Sequence, residues 1–405
     1  DLEYNLRTGI ATYKNGGRIT NDKTVLTSRD GVYYSDTKDV YFKNDVHLKD
    51  PDRDIYTDSL LYNIKTNTAT FIAQTKIKGK DGTVINTKSG TYNLGTGEAV
   101  FTDGASFKDS TRSGSAKEIT YDKKNNTLQM RGNAKLVDSV NKVLVLAGEI
   151  YSDLNQNSFL ASRKPVMILH RDGDSTYIAA DTLFSGLRKY DSLERKMVTQ
   201  KDTLKTALVV QANDKDSSIR YFIGFHNVRI FNDSLQAVSD SLHYSTIDST
   251  FKLFGEPVVW NDKSQVTGDT LLMYTQNQKP KRLYVFNNGM IINRTKEGMF
   301  NQIAGRTLNG YFIDGNIDYV RVKGSPAESV FYPQDDDSAY VGMNRSSGDV
   351  IDVYFVNKEL NKVKFVNNVD GVLYPIKEIP ADKKQLRGFK WLDNRRPKSW
   401  LELFE

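Results

Sequence analysis

The stretch Ile55-Tyr-Thr-Asp-Ser-Leu-Leu-Tyr-Asn63, followed across a polar turn by Thr68-Ala-Thr-Phe-Ile-Ala73, decides the fold. Both segments alternate apolar and polar residues with a period of two, the signature of half-buried strands. The Asn residues of the turn 63–68 tolerate the left-handed backbone that tight turns need. The phrase then recurs. Ile85-Asn-Thr-Lys-Ser-Gly-Thr-Tyr-Asn93 precedes Glu98-Ala-Val-Phe-Thr-Asp103, and Ser115-Ala-Lys-Glu-Ile-Thr-Tyr-Asp122 precedes Thr127-Leu-Gln-Met-Arg-Gly-Asn-Ala134. Val238-Ser-Asp-Ser-Leu-His-Tyr244 with Phe251-Lys-Leu-Phe-Gly255, and Val266-Thr-Gly-Asp-Thr-Leu-Leu272 with Leu283-Tyr-Val-Phe286, repeat it again.

The position of Asp58 can be followed through Asp30, Lys88, Lys117, Gly148, Asp181, Asp240, Asp269, Arg306 and Asn344. From Asp30 the steps are 28, 30, 29, 31, 33, 59, 29, 37 and 38 residues, about ten copies in all. A two-strand unit of this size cannot bury its own apolar face, whereas stacked copies supply each other with hydrogen-bond partners and packing. The reading is all-β: an elongated stacked β-jellyroll or β-solenoid of about ten two-strand repeats. It spans residues 1–375 as one repeat domain, with a polar insertion at 188–219 inside the 59-residue step. From 376 to 405 the repeat stops, and Leu386-Arg-Gly-Phe-Lys-Trp-Leu392 with Arg395-Arg-Pro-Lys-Ser-Trp400 forms a basic, aromatic tail. It is read as a cap on the terminal edge strand, or else as a docking segment for a partner.

Composition agrees with thin, strand-rich structure: 405 residues, 38% hydrophobic, 22 Tyr and 19 Phe. The absence of Cys excludes thiolate metal sites, cysteine nucleophiles and disulfides. No apolar run approaches the length of a membrane-spanning helix. The net charge of +6 is dispersed, with no clustered stripe of the kind nucleic acid requires, so no nucleic-acid partner is expected. His47, His170, His226 and His243 lie in different repeats without ligand spacing. Asp50-Pro-Asp-Arg-Asp54 and Asp335-Asp-Asp337 lack an EF-hand frame, so no metal and no cofactor is expected. With neither a nucleophile elbow nor a recurring carboxylate pair, the chain reads as a non-enzyme.

Strand parity places a large apolar residue on one face in copy after copy. Ile55, Phe71, Ile85, Phe101, Met130, Val145, Ile178, Leu253, Val266 and Val285 form this column. It is either a filled solenoid core or the lining of a V-shaped hydrophobic groove between splayed sheets. In the second case the small residues Ala73, Gly132, Ala180, Gly255 and Gly268 leave room for a ligand.

The recurring Ala/Ser/Thr-Asp-x-Leu and Gly-Asn-Ala/Val-x-Leu/Ile phrases resemble the OstA/LptA family of lipopolysaccharide-transport proteins. Here they are Ala180-Asp-Thr-Leu183, Ser239-Asp-Ser-Leu242, Gly132-Asn-Ala-Lys-Leu136, Gly255-Glu-Pro-Val-Val259 and His226-Asn-Val-Arg-Ile230. The resemblance covers roughly residues 1–375. It implies a periplasmic β-jellyroll that shields lipid A acyl chains in a V-shaped groove and bridges the inner and outer membranes. The ten column residues then become the lipid-binding lining. Partners would be lipopolysaccharide, LptC-like and LptD-like modules joined edge to edge by β-augmentation, and further copies of the chain end to end. A start at Asp1 rather than Met fits a mature periplasmic form after removal of a signal peptide. On this reading a charged residue at Phe71, Phe101 or Met130 abolishes lipid capture with the fold kept. The alternatives are a β-solenoid adhesin or surface stalk with a filled core, and a β-helix glycan-degrading enzyme.

Overall fold

The structure is a computed structural model. It describes all residues except 22, 172–173, 190–217, 246–248, 277–278, 296–297, 336–338, 357–358 and 405. The insertion expected at 188–219 therefore lies almost entirely outside the described residues, and Asp336 and Asp337 do too. The fold is all-β: 69% of the chain is strand, paired antiparallel. The described helices are three short 3₁₀ segments in the tail, Ala381–Lys383, Asp393–Arg395 and Trp400–Phe404. Two compact units divide it, Asp1–Ser175 and Thr176–Glu405, so the tail belongs to the second.

Within each unit the long strands bend. Asp39–Lys49 pairs with Arg53–Asn63 over residues 39–43, shifts register, and pairs again over residues 46–49. The two halves belong to two layers, and the bend between them is the corner. Corner residues sit at positive φ: Asn44 and Asp45, Gly132 and Asn133, His226 and Asn227, Gly255 and Glu256, Asn287 and Asn288. This conformation favours Gly and Asn, which is why the Gly-Asn phrase recurs. Its next and third-next residues, such as Ala134 and Leu136, then face inward.

The Asp-x-Leu phrase is the other side of the same corner. Asn44 donates its side-chain amide to Asp30 at 2.7 Å, Asn227 to Asp181 at 3.0 and 3.1 Å, and Asn288 to Asp269 at 3.0 and 3.2 Å. At Asp240 the donor is the exposed His226 ring, 2.9 Å away, and that carboxylate raises the imidazole pKa. Two residues after each of Asp181, Asp240 and Asp269, the leucines Leu183, Leu242 and Leu271 are buried. The tenth corner is Asp349, not Asn344: Asp349 N–H reaches Asn367 O at 3.0 Å and its carboxylate accepts the Asn368 amide at 3.0 Å. The residues inserted between Phe331 and Gly342 lengthen that copy.

In the first unit one layer carries an inward row running Phe42, Leu60, Phe71, Gly90, Phe101, Ile119, Met130 and Ile150 through consecutive cross-strand pairs. The other carries Leu48, Ile55, Ile77, Ile85, Phe107, Gly114, Leu136 and Val145. The rows meet: a Cβ built on Gly114 would lie 3.0 Å from the Met130 methyl. Gly90, at φ +146°, lets the Phe71 and Phe101 rings stack across it at 6.3 Å. A Cβ there would strike the Val100 carbonyl and approach Phe101 Cα to 3.0 Å. Gly90→Ala is expected to cost about 1–3 kcal/mol, read as a lowered urea midpoint. An unchanged midpoint would mean this backbone is not held in place.

Candidate lipid-binding groove and the strap on the second unit

The sequence-predicted lining falls on four inward rows, two in each unit. Phe71, Phe101 and Met130 share one row of the first unit, and Ile55, Ile85 and Val145 share the row opposite. In the second unit Ile178 and Val266 lie on a row with Ile230, Ala237, Val259 and Ile291. Leu253 and Val285 lie on a row with Leu242, Leu271 and Leu308. Eight of the ten are no more than 5% exposed, whereas Ile85 and Val266 are part-buried.

This burial changes what substitutions there do. An unpaired charge at Phe71, Phe101 or Met130 destabilises the fold before it can report on a ligand. Three of the small residues have a different role from the one expected of them. Gly132 and Gly255 make corners, and the Val285 side chain packs against Gly268.

Opposite the corners, the first unit is rimmed by an alternation that strand-by-strand reading did not single out. Tyr62, Ala69, Tyr92, Ala99 and Tyr121 pair in succession, and Tyr62 and Tyr92 are buried. The turn after Asp50 comes from the other layer. It is an Asx turn, Asp50 accepting the N–H groups of Asp52 and Arg53 at 2.7 and 3.1 Å, and this accounts for the acidic loop. Two contacts then cross the rim. Arg53 lies over the Tyr92 ring at 4.4 Å, and Lys123 Nζ reaches Asp52 at 2.7 Å. Burial pushes the Tyr92 hydroxyl up to about 12, against the opposing pull of Arg53, and the Lys123 bond holds the Asp52 carboxyl below its ordinary range.

The tail does not cap the terminal edge. Glu359–Val366 and Asp370–Pro375 each pair with Gly342–Val356 on one side only, among the described residues. The tail instead crosses the outer face of one layer of the second unit. That face carries a row of paired residues: Tyr177, Phe231, Gln236, Trp260, Gln265, Ile292, Gln302, Val330 and Arg345. Leu386 packs into a cluster with Met290, Ile292, Val330, Tyr332 and Met343, and Leu392 packs against Val238, Val258 and Trp260. Trp400 stacks on Tyr177 at 5.4 Å.

Sequence reading missed the polar members of this row. Gln236, Gln265 and Gln302 each stand four residues before a repeat position (Asp240, Asp269, Arg306), a recurrence visible only once the tail is known to need partners.

No helix among the described residues is long and apolar enough to cross a membrane. Residues 1–58 match the family described as OstA-like protein, and residues 73–157 match the family described as LptA/(LptD N-terminal domain) LPS transport protein. No curated protein matches the chain. Both matched families are transport families rather than enzymes. Corner phrases, paired inward rows and these two matches together make the chain an OstA/LptA-like protein, with a role in lipopolysaccharide transport at the level of the family.

Proposed function

We propose that the chain is a periplasmic carrier in lipopolysaccharide transport, holding lipid A acyl chains between the two layers of its units. The observation that carries the reading is the pair of opposed inward rows of the first unit, Phe42 to Ile150 and Leu48 to Val145, apolar throughout but for Gly90 and Gly114. Acyl surface entering there gains roughly 25 cal/mol per Å² buried. Because the rows are packed, entry requires the layers to part at the rim, which gives up the Arg53–Tyr92 and Lys123–Asp52 contacts. The exposed ion pair contributes little to stability, so it opens readily. Among the described residues Leu2–Asn5, Gly17–Asn21, Glu359–Val366 and Asp370–Pro375 each pair on one side only, and such edges suit docking of LptC-like and LptD-like neighbours, or of another copy, by β-augmentation. Such docking is how one carrier would join others between the inner and outer membranes.

The burial of eight lining residues favours a second reading, a surface stalk with a permanently filled core. One experiment separates the two. The chain has no cysteine, so Asp52→Cys/Lys123→Cys can be joined by a short, reducible bis-thiosulfonate cross-linker. With the rim closed, titrated lipopolysaccharide is expected not to bind, and reductant restores binding. Binding that is unaffected by complete cross-linking, or absent from the wild type together with any co-purified lipid A by mass spectrometry, sinks the carrier reading.

A further inference from the structure

We infer that the outer face of the second unit is a peptide-binding track, and that residues 379–404 are its exchangeable ligand rather than an inseparable part of the fold. The inference does not depend on the lipid reading, because the track lies on the face turned away from the inward rows.

Three features carry it. First, the tail is held along its length by side chains that read its backbone. Gln302 donates to Lys384 O at 2.8 Å and accepts from Leu386 N–H at 2.8 Å. Gln265 does the same one step along, to Lys390 O and from Leu392 N–H, both at 2.7 Å. Arg345 donates to Lys383 O and Gln385 O at 2.9 and 3.0 Å, and Arg229 donates to Glu402 O at 2.7 Å. Gln236 accepts from the Arg396 guanidinium at 2.8 Å. A primary amide that donates to one carbonyl and accepts from the N–H two residues on imitates a strand edge, and it does so whatever the peptide's side chains.

Second, these glutamines are 4%, 0% and 1% exposed. The tail buries these amides and completes their hydrogen bonds, so positions 236, 265 and 302 suit an occupied track. Between them Phe231, Trp260, Ile292 and Val330 supply apolar seats, and Leu386 and Leu403 are the buried anchors that fill such seats.

Third, the tail contributes no strand to the sheet among the described residues, and its connection at Ile376, Lys377 and Glu378 is exposed. It is attached as a ligand is attached, by pockets and point contacts. The corresponding row of the first unit runs Lys49, Asp54, Lys78, Val84, Lys108, Ser113, Val137, Leu144 and Ile168, and holds no glutamine.

The test begins from the folded full chain. A specific protease site is inserted between Lys377 and Glu378, the purified protein is cut, and a fluorescent peptide of residues 379–404 is added. The expected result is that the cut tail stays bound through gel filtration and is replaced by labelled peptide over hours. Gln265→Leu and Gln302→Leu are each expected to weaken the labelled peptide about tenfold. A tail that stays and never exchanges overturns the inference, and so does collapse of the sheet signal on cutting. A tail that leaves a folded protein unable to rebind the peptide overturns it as well.

Discussion

Phe101→Ala is expected to lower the stability of the first unit by about 3–5 kcal/mol. Phe101 is 1% exposed and sits between Gly90 and Ile119 in its row, with the Phe71 ring stacked across the glycine. Removing the ring leaves a void whose neighbours are fixed by hydrogen-bonded strands on both sides, so the site can collapse only in part. Against the 5–15 kcal/mol that a domain commonly has, this is a large fraction. Urea unfolding followed by tryptophan-independent far-UV circular dichroism reads it as a fall in midpoint at nearly constant slope. Ile85→Ala, at a part-buried position of the opposite row, is expected to cost clearly less, and is the better variant for asking about lipid. A loss below about 1 kcal/mol at Phe101 would show that the layers close over the gap, contrary to the rigid packing argued from the paired rows.

The second large effect is expected at Asp352. Its carboxylate, with a side chain 3% exposed, accepts both Arg321 nitrogens at 2.8 Å and the Tyr319 hydroxyl at 2.6 Å. Arg321 holds the Asp352 carboxyl below its ordinary range, while burial, with Asp352 beside it, pushes the Tyr319 hydroxyl up. Truncation to alanine strands a tyrosine hydroxyl and a guanidinium beneath the Tyr311–Tyr319–Tyr354 stack. Because the Arg321 side chain is 45% exposed and recovers water, the expected cost is about 2–3 kcal/mol, below that of a fully buried pair. The pH dependence has a definite sign. A lowered carboxyl pKa contributes stability that is present above the unfolded value, near 4, and disappears as pH falls through the lower folded value. The wild type should therefore keep its advantage over Asp352→Asn at neutral pH and lose it only in acid. A constant difference from pH 7 to pH 2 would assign the effect to shape rather than charge.

Much of this architecture was legible in the residues. Two-residue alternation placed all ten column positions on inward rows, because strand parity is set locally and a one-residue slip would put every side chain on the wrong face. The Asp-x-Leu and Gly-Asn phrases marked the corners because one backbone conformation is needed there each time. Three things were not legible. Packing between the rows depends on how closely the layers approach, which parity does not encode. The last corner was misplaced at Asn344 because the step from Arg306 to Asp349 is 43 residues, longer than any of the regular steps before it. The tail's destination depends on Gln236, Gln265 and Gln302, which look like ordinary outward polar positions until a partner far along the chain covers them.

The separation of those partners has a consequence for how the protein is made. Most strands pair with neighbours close in sequence, so each rung has its partners soon after leaving the ribosome. The strap's hydrogen bonds instead span 82 residues at Gln302, 127 at Gln265, 160 at Gln236 and 174 at Arg229. Trp260, Ile292 and Val330 thus emerge well before the segment that covers them. During synthesis the second unit passes through a stage in which its strands are complete and one greasy face is bare, and any chain that stops short of residue 386 remains there. Such a face is what a holdase chaperone binds, and residues 386–403 are the segment that covers it.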